Sequence, residues 1–521
     1  MPECSCRYQK KDKNKEIVRV VLLMKILFIQ PSAGFLLRGT TYPVCRSIMV
    51  TSSYMKSLGH EVRVYDRCID FEKTEKVFDE FSPSLVMLYA PPTASLKDAM
   101  EVSSFAKEQG CTVVWGEVVA AAFANQIVGG NYADFVITGE TEKKLKDLIY
   151  ELENERNFSA VSGLTYKIGN EIKSTPNLND TDLEAVPEID WDLIDVNKCF
   201  RKFPHCRKML YMYTSRGCPY KCTYCYNTMF YNSQHRKRPI AHVLNEIKYL
   251  EEKYGLDGVN FSDELLILTD DEIEEITRFR NENNLKFFWG AETRADTYKD
   301  IEKLRKMYDS GCRWFMLGLE TGSEEMRRRV NKPMDKQTIR NFVDMCTEVG
   351  ITTFGSFIIG FPDETRENLK ETVKFALSLD VDAFLFNYYV VIPKTPMGDD
   401  LIEKQKIDIE KTFLSSRAAG QIQSLSANYS CVPETELKVV KSYFDWLTFT
   451  RKKERASSKG MFLDKALDML AHISDGRMKD AAKNLFDAGK TFLTVVYYSS
   501  MFPDIRKEYG LYNVNKKKYR K

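Results

Sequence analysis

Three cysteines stand close together in the stretch TSRGCPYKCTYCYN: Cys218, Cys222 and Cys225, spaced C-x-x-x-C-x-x-C. Thiolates are soft ligands suited to iron–sulfur clusters or zinc, and such short gaps within a loop let them converge on one body. Three ligands to a cubane cluster leave one iron open to bind something else. A structural zinc would want a fourth ligand, for which His205 or Cys206 is at hand, and three merely structural thiols are the plainest alternative. The other cysteines among the 13 are scattered between Cys4 and Cys431. A secreted disulfide framework is short and regularly spaced, so reduced thiols beside one metal or cluster site fit better. That implies a reducing compartment, the cytoplasm.

The cysteine loop needs elements to hold it. From residue 24 to about 150, short β runs (25–29, 61–65, 84–89, 112–115, 134–138) alternate with helical stretches such as 42–58 and 95–108. That alternation predicts a parallel, doubly wound sheet, whose ligands sit beyond the C-terminal strand ends. A purely structural or regulatory α/β domain is the bland alternative. Residues 151–204 read as a connector with a short hairpin at 163–172 and several prolines. A second βα series follows within 205–398, with strands at 210–215, 258–262, 287–292, 314–320, 352–359 and 383–391. Six units predict a partial (β/α)6 barrel with its chemistry at the C-terminal strand ends, where the cysteine loop follows the first strand. Residues 399–521 read as helical, including 434–451 and 463–484, and carry no signal of chemistry. The fold class is therefore α/β, with an extension (1–23), two α/β units and a helical C-terminal region.

Composition bounds the partners. A length of 521 residues suggests about three domains. Hydrophobic residues at 43% and charged residues at 29% exclude a disordered or collagen-like chain. Lys and Arg exceed Asp and Glu by 76 − 74 = 2, so no global field recruits nucleic acid or an anionic membrane. The basic tail KKKYRK reads as a solvated end. No apolar run is long enough for a membrane span, since Arg19 and Lys25 interrupt the best candidate. That run leads into a strand pattern with no A-x-A-like site after it, so a signal peptide is not expected, and Met24 is a candidate start.

The cysteine spacing, with Tyr224 just before the third cysteine, resembles the radical S-adenosylmethionine (SAM) superfamily, over roughly residues 205–395. Further segments match in order: NFSDEL with Asp263 and Glu264, WGAETRAD with Glu292 and Arg294, FMLGLETGS with Glu320, Gly322 and Ser323, and FGSFIIGFPDET with Gly355, Ile358, Gly360 and Pro362. The resemblance implies that these residues and Tyr224 line a SAM pocket, that the cysteines hold a 4Fe-4S cluster, and that reductive cleavage of SAM yields a 5′-deoxyadenosyl radical. Taken singly, a Glu at a strand end is more often solvated or salt-bridged, and Arg294 has a rival reading as a barrel salt-bridge residue.

An α/β domain placed before such a barrel resembles the cobalamin-binding subgroup of that superfamily. The strand-end residues Gln30, Pro31, Ser32, Thr93, Gly116, Glu117, Val118, Gly139 and Glu140 are then candidate cobalamin contacts. The D-x-H-x-x-G motif that donates a lower axial His elsewhere is absent, as is common in the subgroup. A sharper departure is the segment 116–120, where relatives often carry Gly-Gly-Pro-His; Glu117 would set a charge where backbone approaches the corrin. The resemblance implies methylation of an unactivated carbon, or less often of phosphorus. The competing enzyme reading is a radical cyclisation, rearrangement or oxidation, and the remote one a zinc-bearing or scaffold protein. Methylthio transfer to RNA is disfavoured, because there is no second cysteine triad and no compact β-rich tail module. No residue is singled out as catalytic. A small-molecule, lipid or natural-product substrate and an external electron donor such as flavodoxin or ferredoxin are expected. Tyr388, Tyr389, Tyr497 and Tyr498 could face a substrate but fit core positions as well.

Overall fold

A computed structural model describes residues 23–32, 46–70, 72–90, 96–179, 181–405, 407–409, 427–450 and 503–511. The first sheet is built from β1 (Lys25–Gln30), β2 (Glu61–Asp66), β3 (Leu85–Tyr89), β4 (Thr112–Gly116), β5 (Phe135–Ile137), β6 (Leu164–Ile168) and β7 (Glu171–Ser174). Its order is β2-β1-β3-β4-β5-β6-β7, parallel from β2 to β5. β1 and β3 read as almost continuous apolar runs because both faces are covered. On one face Leu27, Ile29, Val86 and Leu88 pack against the helices Thr74–Phe81 and Leu96–Glu108. On the other, Ile26, Phe28 and Met87 join a core continuous with the second unit. The chain order reverses between β1 and β3, the place where such sheets leave a crevice.

The hairpin expected in the connector does form, but β6 pairs antiparallel with β5 and makes β6–β7 the edge of the first sheet. The first unit thus extends past residue 150, and the helix Glu142–Glu153 crosses that boundary. Local pattern announces a hairpin; the strand edge it completes is a tertiary matter.

The second sheet runs β16-β15-β14-β13-β12-β9-β8, with β8 (Arg201–Phe203), β9 (Cys206–Met212), β12 (Gly258–Phe261), β13 (Phe288–Thr293), β14 (Cys312–Glu320), β15 (Thr352–Ile359) and β16 (Ala383–Tyr388). A short ladder of β10 (Ser215–Arg216) and β11 (Arg236–Lys237) stands beside it. Six strands, β9 and β12 to β16, are parallel, as a partial barrel requires, and β8 adds one antiparallel edge strand. Met209, Trp314, Phe354 and Ala383, from four of these strands, pack in one cluster. A Cβ at Gly290 would lie 2.2 Å from Trp314 Nε1, so this glycine makes room for the indole.

Two strands end three residues short of expectation. β9 stops at Met212, because the next amides, of Thr214 and Ser215, turn to the Asp263 carboxylate instead of a ladder. β16 stops at Tyr388, because its partner β15 has already turned at Gly360, which has φ +78°. The helix Glu434–Thr450 closes the β16 side, with Phe444 stacked 4.0 Å from Phe386. The expected helix at 463–484, Tyr497, Tyr498, Thr93 and nearly all of the 1–23 extension lie outside the described residues. Among the described residues no helix is long and apolar enough to cross a membrane.

Candidate active site

The loop after β10 carries Cys218, Cys222 and Cys225, and it is pinned by backbone and amide contacts rather than by the thiols. The Asn227 side chain accepts from the Cys218 amide (2.9 Å) and donates to the carbonyls of Cys218 (2.7 Å) and Tyr220 (3.2 Å). Thr223 donates through its amide to Val330 O (3.1 Å) and through its hydroxyl to Arg329 O (3.1 Å). Burial pushes all three thiols up, Cys225 to about 12, while Lys332 acts on all three and Arg294 on Cys218 and Cys222 in the opposite sense. The thiols also act on one another, which places them together. Three soft donors beside two cations suit an anionic cluster.

Zinc fits less well. His205 and Cys206 sit at the start of β9, at the end away from the loop. There His205 bonds the Thr352 hydroxyl (3.0 Å), and Cys206 Sγ fills the space that a Cβ at Gly258 would take. Neither can complete a tetrahedron with the loop.

The carboxylates expected in a SAM pocket divide by what they already hold. Asp263 is buried and accepts from the Thr214 amide (3.0 Å) and hydroxyl (3.1 Å) and from Ser215; burial raises its pKa to about 6. Glu264 accepts from the Gly217 amide (2.8 Å) with one oxygen, and pairs with Arg46 through the other. Both residues brace the cysteine loop. Glu292 accepts from Asn260 at 3.3 Å on both oxygens, and burial raises it to about 7. Arg294 forms a two-pronged pair with Asp296 (2.8 and 2.7 Å) and lies 3.8 Å over the Tyr220 ring, so its salt-bridge reading holds alongside its place at the loop.

Across the mouth, β14 ends on Glu320, whose φ of +60° turns its carboxylate to the Lys332 ammonium (2.8 Å). Burial and Glu320 hold the Tyr224 phenol well above its usual range. Tyr224 packs with Ile358 and Phe361. Gly322 and Ser323 are buried against the helix Arg366–Leu377: a Cβ at Gly322 would meet Thr372 Cα at 2.7 Å, and Asn368 donates to the Ser323 hydroxyl (3.0 Å). Gly355 lies inside β15 under Leu319, and Pro362 is buried after Gly360. These four glycine, serine and proline positions shape the rim through packing.

The Gly360 amide donates to Glu364 Oε2 (2.6 Å), while Glu364 Oε1 is buried without a partner. Burial raises Glu364 to about 8. A carboxyl raised by folding binds protons more readily in the folded state, so its favourable contribution is complete below the ordinary carboxylate pKa. It is lost as pH rises through about 8. Glu364→Gln is therefore expected to flatten the fall in stability between about pH 4.5 and 8 seen in melting curves of the parent protein; parallel curves for the two would refute this role.

The strand ends of the first sheet face the cysteine loop. Val118 and Ala121 are buried against Phe230 and Tyr231, and Lys394 donates to Ala121 O (2.6 Å). Several candidate cobalamin contacts hold other partners. Glu140 pairs with Arg216 (3.4 Å) and Arg236, both from the second unit, and Glu117, at φ +80°, accepts from Ser47. Gln30 donates to Cys68 Sγ (3.9 Å), the Pro31 carbonyl accepts from Cys68 (3.5 Å), and the Ser32 amide donates to Asp98 (2.8 Å). Gly116 is crowded by Met87, Gly139 by Asn177 and Lys144. The cleft between the units, lined by Arg46, Gly139, Glu140, Arg216 and Tyr231 among others, has about 280 Å³ of empty space. Segments 33–45 and 91–95, which follow β1 and β3 in the chain, lie outside the described residues, so this volume is that of the described part of the cleft.

Residues 212–376 match the radical SAM superfamily. The chain carries a radical SAM domain. An uncharacterized methyltransferase of Pyrococcus horikoshii is 28% identical over 388 residues, which cover 72% of this chain and 83% of that protein. The anaerobic magnesium-protoporphyrin IX monomethyl ester cyclase of Cereibacter sphaeroides is 25% identical over 74% of this chain and 64% of its own length. Among solved structures, the radical SAM methyltransferase TsrM from Kitasatospora setae, with cobalamin and a 4Fe-4S cluster bound, matches with a TM-score of 0.63 at 18% identity. That match covers 73% of this chain and 78% of that one. The cobalamin-dependent radical SAM enzyme OxsB matches with a TM-score of 0.58 at 16% identity, over 94% and 76%. At such identities the likeness establishes the fold: both units in this order.

Three residues of the radical SAM domain and its neighbour escaped the sequence reading. Asn227, two positions past the last cysteine, holds the loop. Lys332 faces the thiols from after β14. Arg46 reaches Glu264 from the first unit. Only Asn227 had a local signal, its place directly after the motif; the other two are brought in by contacts far apart in sequence.

Proposed function

We propose that this chain is a radical SAM enzyme that holds a 4Fe-4S cluster on Cys218, Cys222 and Cys225 and uses cobalamin to methylate an unactivated carbon of a small molecule. The observation that carries the reading is the meeting of two strand-end surfaces, the cysteine loop of the barrel and segment 116–121 of the first sheet. The order of units shared with TsrM and OxsB and the methyltransferase names of relatives support it. When bound, the reduced cluster supplies the electron that cleaves SAM, and cobalamin carries the methyl group. Within that scheme Tyr224, Glu320 and Ile358 line the SAM side, Arg294 flanks the cluster, and Asp263 and Glu264 set the loop backbone. The electron comes from an external donor of the flavodoxin or ferredoxin kind.

A second reading, radical cyclisation or rearrangement without methyl transfer, is favoured by the cyclase relative. One experiment separates them. The chain is reconstituted anaerobically with iron and sulfide, given a strong reductant and SAM, then incubated with hydroxocobalamin and gel-filtered. Release of 5′-deoxyadenosine with about one retained cobalamin per chain is the expected result. Cleavage with no retained cobalamin moves the assignment to the second reading, and stoichiometric zinc without iron refutes both.

A further inference from the structure

Arg46 is the first residue of the helix Arg46–Ser57, which belongs to the first unit, yet its guanidinium reaches into the second. It donates to the Ser262 carbonyl at the end of β12, to the Tyr231 hydroxyl (3.2 Å) and to Glu264. The other Glu264 oxygen takes the Gly217 amide at 2.8 Å. Gly217 has φ +77°, and a Cβ there would lie 1.9 Å from Gln234 O, so only a glycine fits at this turn. Its next residue is Cys218. One chain of contacts thus runs from the helix start, through a buried carboxylate, to the amide beside the first cysteine.

The same helix turn also touches the first sheet's strand ends. Ser47 donates to Glu117 after β4, and the Thr51 hydroxyl bonds that of Thr141 (2.6 Å) after β5. The helix that carries Arg46 is thus hydrogen-bonded to residues at two of those ends. We propose that Arg46 is a positioning residue that couples the strand ends of the first unit to the cysteine loop through Glu264 and Gly217. This rests on the reading that the three cysteines hold a cluster. Arginine suits the task because its planar fork serves several acceptors at once, which a lysine ammonium does with less geometric control. Without it Glu264 is a buried carboxylate lacking its counter-charge, and its grip on Gly217 loosens.

The test uses the full chain, reconstituted anaerobically, as R46M, R46K, E264Q and, as a control on the same helix, K56M. Lys56 pairs with Asp190 at a half-exposed position and has no link to the loop. Iron content, the electron paramagnetic resonance spectrum of the reduced cluster with and without SAM, and the SAM dissociation constant are measured. R46M is expected to keep its iron, show an altered spectrum and bind SAM about tenfold more weakly, the cost of one charge-assisted contact. R46K should recover part of both effects, and K56M should match the parent. E264Q, which keeps the side chain's size, should reproduce the R46M spectrum and carries the test if R46M does not fold. Parent-like spectra and affinity in R46M and E264Q, or equal changes in R46M and K56M, overturn the inference while the cluster reading stands. A parent chain that takes up no iron brings down both.

Discussion

Changing Cys218, Cys222 and Cys225 together to alanine is expected to leave a folded chain that retains no iron after reconstitution and releases no 5′-deoxyadenosine from SAM. The loop does not depend on its sulfurs for shape. Asn227 holds the Cys218 and Tyr220 backbone, Thr223 is tied to Val330 and Arg329, and the Met397 amide donates to Thr223 O (2.9 Å). Circular dichroism and melting should therefore stay near the parent's while the metal content falls to background. Single changes should do nearly the same to SAM cleavage, since a cubane held by two protein thiols exposes a second iron. Asn227→Ala separates holding from ligating: all thiols remain, but the loop loses three hydrogen bonds, so iron should bind and then be lost more readily to a chelator. Full iron retention in the triple variant would place the metal elsewhere in the chain.

The legible part of this molecule is the part written in short-range pattern. Apolar runs such as those of β1 and β3, at helix-length spacing, announce a parallel sheet, and β15 falls at 352–359 as read. The cysteine spacing names a soft-ligand loop without any knowledge of the fold. What pattern cannot carry is the partner of a charge. Glu264 and Arg46 are separated by 218 positions and Glu140 and Arg236 by 96, and both pairs form only because two units dock. A Glu at a strand end looks the same in sequence whether it awaits a ligand, like the exposed rim of a pocket, or braces a neighbouring loop, as Asp263 and Glu264 do. Glu117 is the instructive case. In sequence its charge reads as a bar to a corrin, yet its positive φ turns the carboxylate onto Ser47 in its own unit.

Replacing Arg238 by methionine is expected to destabilise the chain by about 3–5 kcal/mol, the usual cost of removing one partner from a buried ion pair. Arg238 and Glu246 are side chains only 3% and 2% exposed, and the same carboxylate accepts the Ile189 amide at 3.0 Å, tying the connector to the helix Ile240–Tyr254. The guanidinium also sits 4.9 Å from the Tyr213 ring centre. Burial already holds Glu246 above the ordinary carboxylate range even with Arg238 opposing it. Without the arginine nothing offsets that burial, so the carboxyl must be protonated to stay inside. The defect should therefore shrink as pH falls toward the ordinary carboxylate pKa and grow toward neutrality, because only the charged form is penalised. The double variant R238M/E246L removes both charges and should recover most of the loss, leaving about 1 kcal/mol for the Ile189 amide's missing acceptor. Urea titrations of the two variants and the parent at pH 5 and pH 8 make the measurement. A double variant no more stable than R238M would mean that the pair holds the connector by its hydrogen bonds and not by the pairing of charge.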